Sequence, residues 1–400
     1  MYPLLHNEDI VYLKKIRFSS IKTDDIVCFK KYGKLQTHRI IYRTNKYLIT
    51  KGDNNLKADG KVYPRQIIGR VYQVKRNGEI FNPEDIYLYQ STLYFQEIIK
   101  VKKAFENAKI NFVFLKGLPI HFYYEKTHPR RLYADCDILV KSKDLSKLNT
   151  AYNDLGYEKS ISSFTKIHKT LRDHESQISY KKIINNNTVK FDIHFDSNVA
   201  IPQLGYLEAL YPSRLIHQFN NELLDEKVFV NIQNIQFPLL SLENQILFSS
   251  FNLFRDGYKG TYRYHLLMLL FNRLGSNNYR LLANKIIKYK MENYVYPSIL
   301  LLIKYFKFHP STYFLSMIKP KNIYMNYINK IILNINIFDT DTRVTSGVNR
   351  FKQYFYLSPN SLIKRSTVFL QPKVLYSTLW VAFKRPYTLY YRIGRIFFHS

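Results

Sequence analysis

The chain has 400 residues, with 60 Lys and Arg against 30 Asp and Glu, which gives a formal net charge of +30. Hydrophobic residues make up 46% of the chain and there are two cysteines, which excludes extensive disorder, collagen-like sequence and a disulfide framework. No apolar run reaches the roughly 18 residues that a membrane-spanning helix needs, so we expect a cytoplasmic protein. The positive charge favours an anionic partner, although a solvated, Lys-rich surface would have the same composition.

Four segments with different patterns follow one another along the chain. Residues 1–83 contain short apolar runs between Gly, Asn and Asp turns, which predicts an all-β module, and residues 77–83 form a predicted linker. Residues 87–205 alternate between helical and strand patterns, which predicts an α/β domain with a mixed sheet, and residues 206–342 are mostly helical. Residues 343–400 form a tail of Lys and Arg mixed with aromatic residues, without acidic ones. The predicted fold class is therefore multidomain.

The sharpest chemical pattern is a pair of carboxylates in a predicted strand, Asp135-Cys-Asp137. Residues two apart in a strand point to the same face, so the two carboxylates lie side by side. Asp192 lies in another apolar segment, Lys190–His194, which we expect to be a neighbouring strand. Three oxygen ligands suit Mg²⁺ or Mn²⁺ and the phosphoryl-transfer chemistry that such ions support. Two exposed acids at the end of a strand would give the same Asp-x-Asp pattern.

Several motifs occur around these acids in a recognisable order: Phe114-Leu-Lys-Gly117, Arg130-Arg131, Asp135-Cys-Asp-Ile-Leu-Val140, Leu155-Gly-Tyr157 and Phe191-Asp-Ile-His194. In that order they resemble the uncharacterised nucleotidyltransferases of the polymerase β-like superfamily. The resemblance spans about residues 90 to 260. It implies an α/β fold, a nucleoside triphosphate (NTP) as donor, and Mg²⁺ held by Asp135, Asp137 and Asp192.

The phosphate-binding turn departs from the superfamily pattern. Gly117 is followed by Leu118, whereas the superfamily usually has Gly-Ser or Gly-Gly at this point. Backbone N–H groups at a helix start still bind phosphate, and Lys116 adds positive charge. Arg130 and Arg131 are candidates for contacts with the triphosphate, or are solvated loop charges.

The second pattern lies in the β-rich segment, where His38 is followed by Asp53 and Asp59. A serine protease needs a hydroxyl nucleophile, a base to take its proton and commonly an acid to orient the base. His38 is a candidate base, with Asp59 or Asp53 as the orienting acid. A structural histidine beside two turn aspartates is the alternative.

Motifs in this segment resemble signal peptidase I of the archaeal and endoplasmic-reticulum type: Met1-Tyr-Pro-Leu-Leu5, Asp24-Asp-Ile-Val-Cys-Phe29, Thr37-His-Arg-Ile-Ile41, Ile49-Thr-Lys-Gly-Asp-Asn-Asn55 and Ile67-Ile-Gly-Arg-Val71. The resemblance implies that His38 is the general base, with Asp59 its partner and Asp53 a supporting acid. In the family the nucleophilic Ser immediately precedes the Met-Tyr-Pro segment. We therefore expect no peptide cleavage by the chain that starts at Met1. Either the true start lies upstream, or the module serves only in binding or structure.

The basic aromatic tail at residues 343–400 allows three interpretations. It suits peripheral contact with an anionic membrane, because aromatic rings favour the interface and cations favour the headgroups. Stacking and phosphate contacts would also suit single-stranded nucleic acid. A last helical subdomain with an ordinary aromatic core is the third interpretation.

These patterns predict a fusion protein in which a signal-peptidase-like module precedes a nucleotidyltransferase. The predicted reaction is Mg²⁺-dependent transfer of a nucleotidyl group from NTP to an acceptor that is a protein, a peptide or a small molecule. Two other classes stay open: a signal peptidase with a misassigned start, and a non-catalytic protein that binds peptide or nucleotide.

Overall fold

The computed structural model describes residues 4–160, 177–185, 187–197, 207–340, 346–372 and 374–375. The strands before residue 83 are β1 (Ile10–Lys14), β2 (Ile26–Lys31), β3 (Lys34–Arg43), β4 (Leu48–Lys51), β5 (Lys61–Val62), β6 (Ile67–Arg76) and β7 (Glu79–Phe81). They form an antiparallel sheet in the order β1-β6-β2-β3-β4-β5, and β7 pairs with β6. We call residues 4–82 the β module. The sheet confirms that this segment is β-rich.

The mixed sheet comprises β8 (Phe112–Lys116), β9 (Cys136–Val140), β10 (Glu158–Ser160), β11 (Gln177–Ile184), β12 (Asn187–His194), β13 (Val228–Ile232) and β14 (Ile235–Leu239). Its order is β10-β11-β12-β9-β8-β14-β13. The pairs β12–β9 and β14–β8 are parallel, and the other pairs are antiparallel. The strands β8 and β9 are almost wholly apolar and buried along their length, as expected for central strands covered on both faces.

The helices that the structure describes are α1 (Pro83–Asn107), α2 (Leu118–Tyr124), α3 (Leu145–Asp154), α4 (Ser213–Asp225), α5 (Leu242–Arg255), α6 (Thr261–Asn272), α7 (Ser276–Lys288), α8 (Glu292–Phe306), α9 (Thr312–Met317), α10 (Asn322–Lys330), α11 (Ser346–Leu357) and α12 (Leu362–Ser366). Helices α1 to α11 share a hydrophobic core with the mixed sheet, which extends from Tyr94 in α1 to Val374. No helix within the described ranges is long and apolar enough to span a membrane.

Residues 77–83, predicted as a linker, belong to a hairpin and to the start of a helix. Asn77 and Gly78 both have positive φ, and they form the turn of the hairpin between β6 and β7. Such a turn needs two residues that tolerate the left-handed region, and Asn-Gly is the commonest pair. Asn82 then caps α1 directly, with Pro83 in the first turn, so structured elements occupy the whole predicted linker.

The β module contacts the rest of the chain through hydrogen bonds between partly buried groups. The Arg39 guanidinium donates to the backbone carbonyl of Arg130 at 2.7 Å. The Ala58 backbone N–H donates to the Asp339 carboxylate at 2.9 Å, and the Tyr42 hydroxyl donates to the Tyr305 carbonyl. Of the predicted basic tail, residues 346–372 contain α11 and α12, and Trp380 lies outside the described residues.

Candidate functional site

The register of the mixed sheet brings the predicted carboxylates together. Strands β9 and β12 run parallel, and Asp137 is the register partner of Asp192. Residues in register on neighbouring strands point to the same face. Asp135 lies immediately before β9, where the charges of Asp137 and Asp192 act on its carboxyl. The predicted pairing of these two segments is therefore correct.

Cationic and polar side chains hold two of the three carboxylates. The Oδ1 atom of Asp137 accepts from Lys116 Nζ at 3.0 Å and from His194 Nε2 at 2.7 Å. Asp192 accepts from the Ser179 hydroxyl at 2.5 Å and from Lys190 Nζ at 2.9 Å. His194 thus lies in the site, in contact with Asp137.

The electrostatic surroundings drive the pKa values of neighbouring acids in opposite directions. Burial raises the pKa of the Asp135 carboxyl, and the nearby charges of Asp137 and Asp192 raise it further. Burial also acts to raise the pKa of Asp137, but Lys116 and the hydrogen bond from His194 outweigh it and lower that pKa below the ordinary value. The site therefore contains a firmly ionised carboxylate beside one whose negative charge is disfavoured.

The turn between β8 and α2 is tightly constrained at Gly117. Its φ is 103°, and a Cβ at this position would lie 3.2 Å from Cys136 Sγ. A side chain is disfavoured there on both grounds. Helix α2, which starts at Leu118, ends at Tyr124 and is short, so it offers less of a phosphate-binding helix start than the sequence predicts.

The two predicted triphosphate contacts, Arg130 and Arg131, do not contact the carboxylates of the site. Arg130 pairs with Asp25 of the β module at 3.1 Å and with Glu84 at 3.0 Å. Arg131 donates to the Tyr133 hydroxyl at 2.6 Å. In this structure both residues support the packing between segments, so their role toward a nucleotide stays a prediction.

The β module brings His38 together with Asp59. His38 Nδ1 lies 2.7 Å from Asp59 Oδ2, and the Thr50 hydroxyl donates to the same oxygen at 2.8 Å. Asp53 instead pairs with the Arg39 guanidinium, with two contacts of 2.7 Å. Of the two acids that the sequence left open, the geometry therefore favours Asp59 as the partner of His38.

The donor chemistry of the three aspartates fits a hard divalent cation, because all of their ligand atoms are carboxylate oxygens. Asp135 carries a charge that its neighbours disfavour, which is the situation that a bound cation relieves. Among the described residues, however, no group of three or more acidic, His or Cys side chains is already arranged to hold a metal ion. Lys116, His194 and Lys190 instead contact two of the carboxylates.

Sequence reasoning missed several polar residues beside the site. Lys190 lies two residues before Asp192 in β12, so strand periodicity already placed both on one face. Ser179 lies on β11 opposite Asp192, and only the strand register identifies it. Arg255 and Asp256, at the end of α5, also lie within electrostatic range of Asp137 and Lys116.

Comparison with known proteins identifies one family across the central part of the chain. The family described as "Uncharacterised nucleotidyltransferase" matches residues 84–306. No curated protein sequence matches the chain. The match includes the three aspartates and helices α1 to α8, and it does not include the β module, so the signal-peptidase resemblance stays a prediction.

Two solved structures show limited likeness. The solution structure of the antibiotic-resistance factor ANT(2'')-Ia is 13% identical, with a TM-score of 0.33, over 50% of this chain and 95% of its own. The crystal structure of the lincosamide antibiotic adenylyltransferase LnuA, lincomycin-bound, is 18% identical, with a TM-score of 0.28, over 44% of this chain and 94% of its own.

Proposed function

The chain belongs to the family described as uncharacterised nucleotidyltransferases, and from that premise we propose that it transfers a nucleotidyl group from an NTP to a protein, peptide or small-molecule acceptor. The observation that supports the proposal is the register of Asp137 with Asp192 on parallel strands, with Asp135 immediately before the strand that holds Asp137. All three residues lie within the part of the chain that the family matches.

The side chains around these acids prepare them for that role. Lys116 and His194 keep the Asp137 carboxylate ionised and fix its direction, because both donate to the same oxygen. Ser179 and Lys190 both donate to the Asp192 carboxylate and fix its direction. Asp135, Asp137 and Asp192 would hold Mg²⁺ or Mn²⁺. Such an ion activates an attacking hydroxyl and stabilises negative charge on the phosphates.

A transfer assay tests the proposal directly. The protein is incubated with each of the four labelled NTPs, Mg²⁺ and cell extract, and labelled protein and small-molecule products are separated. We expect a labelled product with the native chain and a loss of about a thousandfold or more with Asp137→Asn, because several kcal/mol of transition-state stabilisation are lost.

The matched control for this assay is Asp154→Asn, which removes the same charge from an exposed position at the end of α3. It should retain the native rate. No transfer from any NTP by the native chain would favour the non-catalytic alternative, in which the site only binds nucleotide.

A second candidate function, peptide hydrolysis by the β module, is supported by the contact between His38 and Asp59. An acid that accepts from Nδ1 orients the ring and leaves Nε2 to act as a base toward a hydroxyl nucleophile. Thr50 holds Asp59 in turn. Within the part of the chain that the structure describes, the hydrogen bonds of His38 involve no serine or cysteine, and residues 1–3 lie outside that part.

A further inference from the structure

The Lys190 ammonium contacts both oxygens of the Asp192 carboxylate. It donates to Oδ2 at 2.9 Å and lies 2.9 Å from Oδ1. The Ser179 hydroxyl also donates to Oδ1, at 2.5 Å. Lys190 and Asp192 lie two residues apart on β12, so their side chains share one face of the mixed sheet. Both atoms with which Asp192 would bind a metal ion therefore already have a positively charged partner.

The donors of Asp137 are arranged differently. Lys116 and His194 both donate to Oδ1, at 3.0 Å and 2.7 Å. Within the described ranges, these are the hydrogen bonds that the Asp137 carboxylate accepts, and neither ends at Oδ2. Asp137 can thus offer an oxygen to a cation while it keeps both donors. Asp192 has no such oxygen, so its lysine is the contact that conflicts with metal binding.

Electrostatic repulsion opposes the presence of a divalent cation and the Lys190 ammonium at the same carboxylate. Mg²⁺ binds carboxylate oxygens at about 2.0–2.1 Å, so an ion on either oxygen of Asp192 would lie at most about 5 Å from the ammonium. Like charges this close repel strongly where water is largely excluded, and Asp192 is only 5% exposed. The Ser179 hydroxyl is neutral, so it adds no such repulsion.

The Lys190 side chain is able to withdraw from Asp192 without disturbing the strand. The side chain is 35% exposed, so its ammonium already reaches the solvent. Its backbone is held by Tyr94, whose hydroxyl accepts from the Lys190 N–H at 3.0 Å and donates to the Lys190 carbonyl. Lysine has a flexible four-carbon stem, which allows the ammonium to move while the backbone stays in place. Withdrawal therefore breaks the contact with Asp192 and leaves β12 intact.

We propose that Lys190 competes with the divalent cation for Asp192 and thereby sets the metal affinity of the site. This inference rests on the proposed transferase function, which assigns the metal ion to the three aspartates. Without bound metal, Lys190 supplies the positive charge that a buried carboxylate needs. Removal of this charge should therefore have two effects of opposite sign: it destabilises the metal-free protein, and it strengthens metal binding.

Calorimetric titration of the full chain with MnCl₂ measures the competition directly. We expect Lys190→Met to raise the Mn²⁺ affinity by about tenfold, as for the removal of one competing charged hydrogen bond. Lys190→Arg keeps the charge, and its affinity should stay within about threefold of the native value. In urea titrations with EDTA, the unfolding midpoint of Lys190→Met should lie below the native midpoint. Saturating Mn²⁺ should raise the midpoint of this variant by more than it raises the native one.

The matched control is Lys181→Met. Lys181 is the register partner of Lys190 on β11, where it is exposed and lies one strand further from β9. This variant removes the same charge nearby, and it should change the Mn²⁺ affinity by less than about threefold because exposed charges are screened. An equal rise in affinity with Lys181→Met would show that net charge alone sets the affinity, and would overturn the proposal. Lys190→Gln replaces Lys190→Met if the circular dichroism spectrum of the latter is not native.

Two further outcomes would also overturn it: equal Mn²⁺ affinity for the native chain and Lys190→Met, or no binding by either protein. Binding by Lys190→Met alone would support it. The transfer assay separates this inference from the proposed function. Raised Mn²⁺ affinity in Lys190→Met, without transfer from any NTP by the native chain, would support the competition and refute the transferase. Transfer by the native chain with equal Mn²⁺ affinities would support the transferase and overturn the competition.

Discussion

Replacing Asp135 or Asp137 by asparagine should change the free energy of unfolding in opposite directions. Mutual repulsion alone predicts that replacing either acid by asparagine stabilises the metal-free protein. The contacts predict a different result, because Asp137 accepts from Lys116 and His194, whereas Asp135 mainly experiences burial and its acidic neighbours. Asp137→Asn should therefore destabilise the fold and Asp135→Asn should stabilise it.

The size of the Asp137→Asn effect follows from the two hydrogen bonds. A hydrogen bond to a charged group contributes about 1.5–3 kcal/mol, against about 0.5–1.5 kcal/mol for a neutral pair. The asparagine amide keeps one acceptor oxygen but loses the charge, so each contact weakens by about 1 kcal/mol. We expect the free energy of unfolding to fall by about 2 kcal/mol at pH 7, less the repulsion that is relieved.

The pH dependence of the free energy of unfolding tests these two variants independently. The pKa of Asp137 is lowered by folding, so its contribution to stability is present above the unfolded-state value of about 3.9 and is lost as the pH falls below it. The pKa of Asp135 is raised, so its ionised form destabilises the fold at pH 7. This destabilisation disappears once the carboxyl is protonated. As the pH falls, the free energy of unfolding of each variant should approach that of the native chain. Asp137→Asn should approach it from lower stability and Asp135→Asn from higher stability.

Urea titrations in EDTA, followed by circular dichroism, measure the two shifts in midpoint. Hydrogen exchange of peptides from β9 and β12 then assigns them to the mixed sheet, since a chain of this size need not unfold in one step. Equal shifts of the same sign for the two variants would refute the assignment of Lys116 and His194 to Asp137. A stable Asp137→Asn protein would refute it as well.

Two further predictions concern ligands of the two candidate sites. Calorimetry should detect Mg²⁺ or Mn²⁺ binding by the native chain and none by the Asp135→Asn/Asp137→Asn double variant, and unchanged binding in that variant would contradict the metal assignment. A chain with Gly-Ser placed before Met1 should cleave a signal-peptide substrate, and His38→Ala should abolish that cleavage. A silent extended chain would leave the β module without a peptidase role.

Much of the mixed sheet could be predicted from sequence because its signals are local. The hairpin from residue 177 to residue 194 is anticipated by alternating apolar residues around an Asn turn, and the structure pairs Ile184 with Asn187. The mostly helical pattern of residues 206–342 corresponds to α4 to α10, and the hairpin of β13 and β14 interrupts it. Period-two spacing also predicts that Asp135 and Asp137 share a face, but β9 contains only Asp137.

The partners of the site residues could not be predicted in the same way, because they depend on distances between elements. Nothing local distinguishes Arg130, which turns toward Asp25, from Arg255, which lies close enough to Asp137 to interact with its charge. The choice between Asp53 and Asp59 as the partner of His38 also depends on how β3 and β4 pair with the loop that follows them. Sequence spacing identifies the residue types of a site, and the register of the strands selects among them.

The two candidate sites share one structural support, which affects how each can be studied. Arg39 follows His38 on β3, and its guanidinium binds Asp53 and donates to the carbonyl of Arg130, in the segment that leads to Asp135. Its side chain is only 7% exposed, against 21% for that of Asp53, so loss of this pair would leave a buried guanidinium without its carboxylate partner. A truncation at residue 83 would remove this support from the segment before β9. Variants of either site are therefore best compared in the full chain, where a change at the aspartates cannot be confused with loss of the β module.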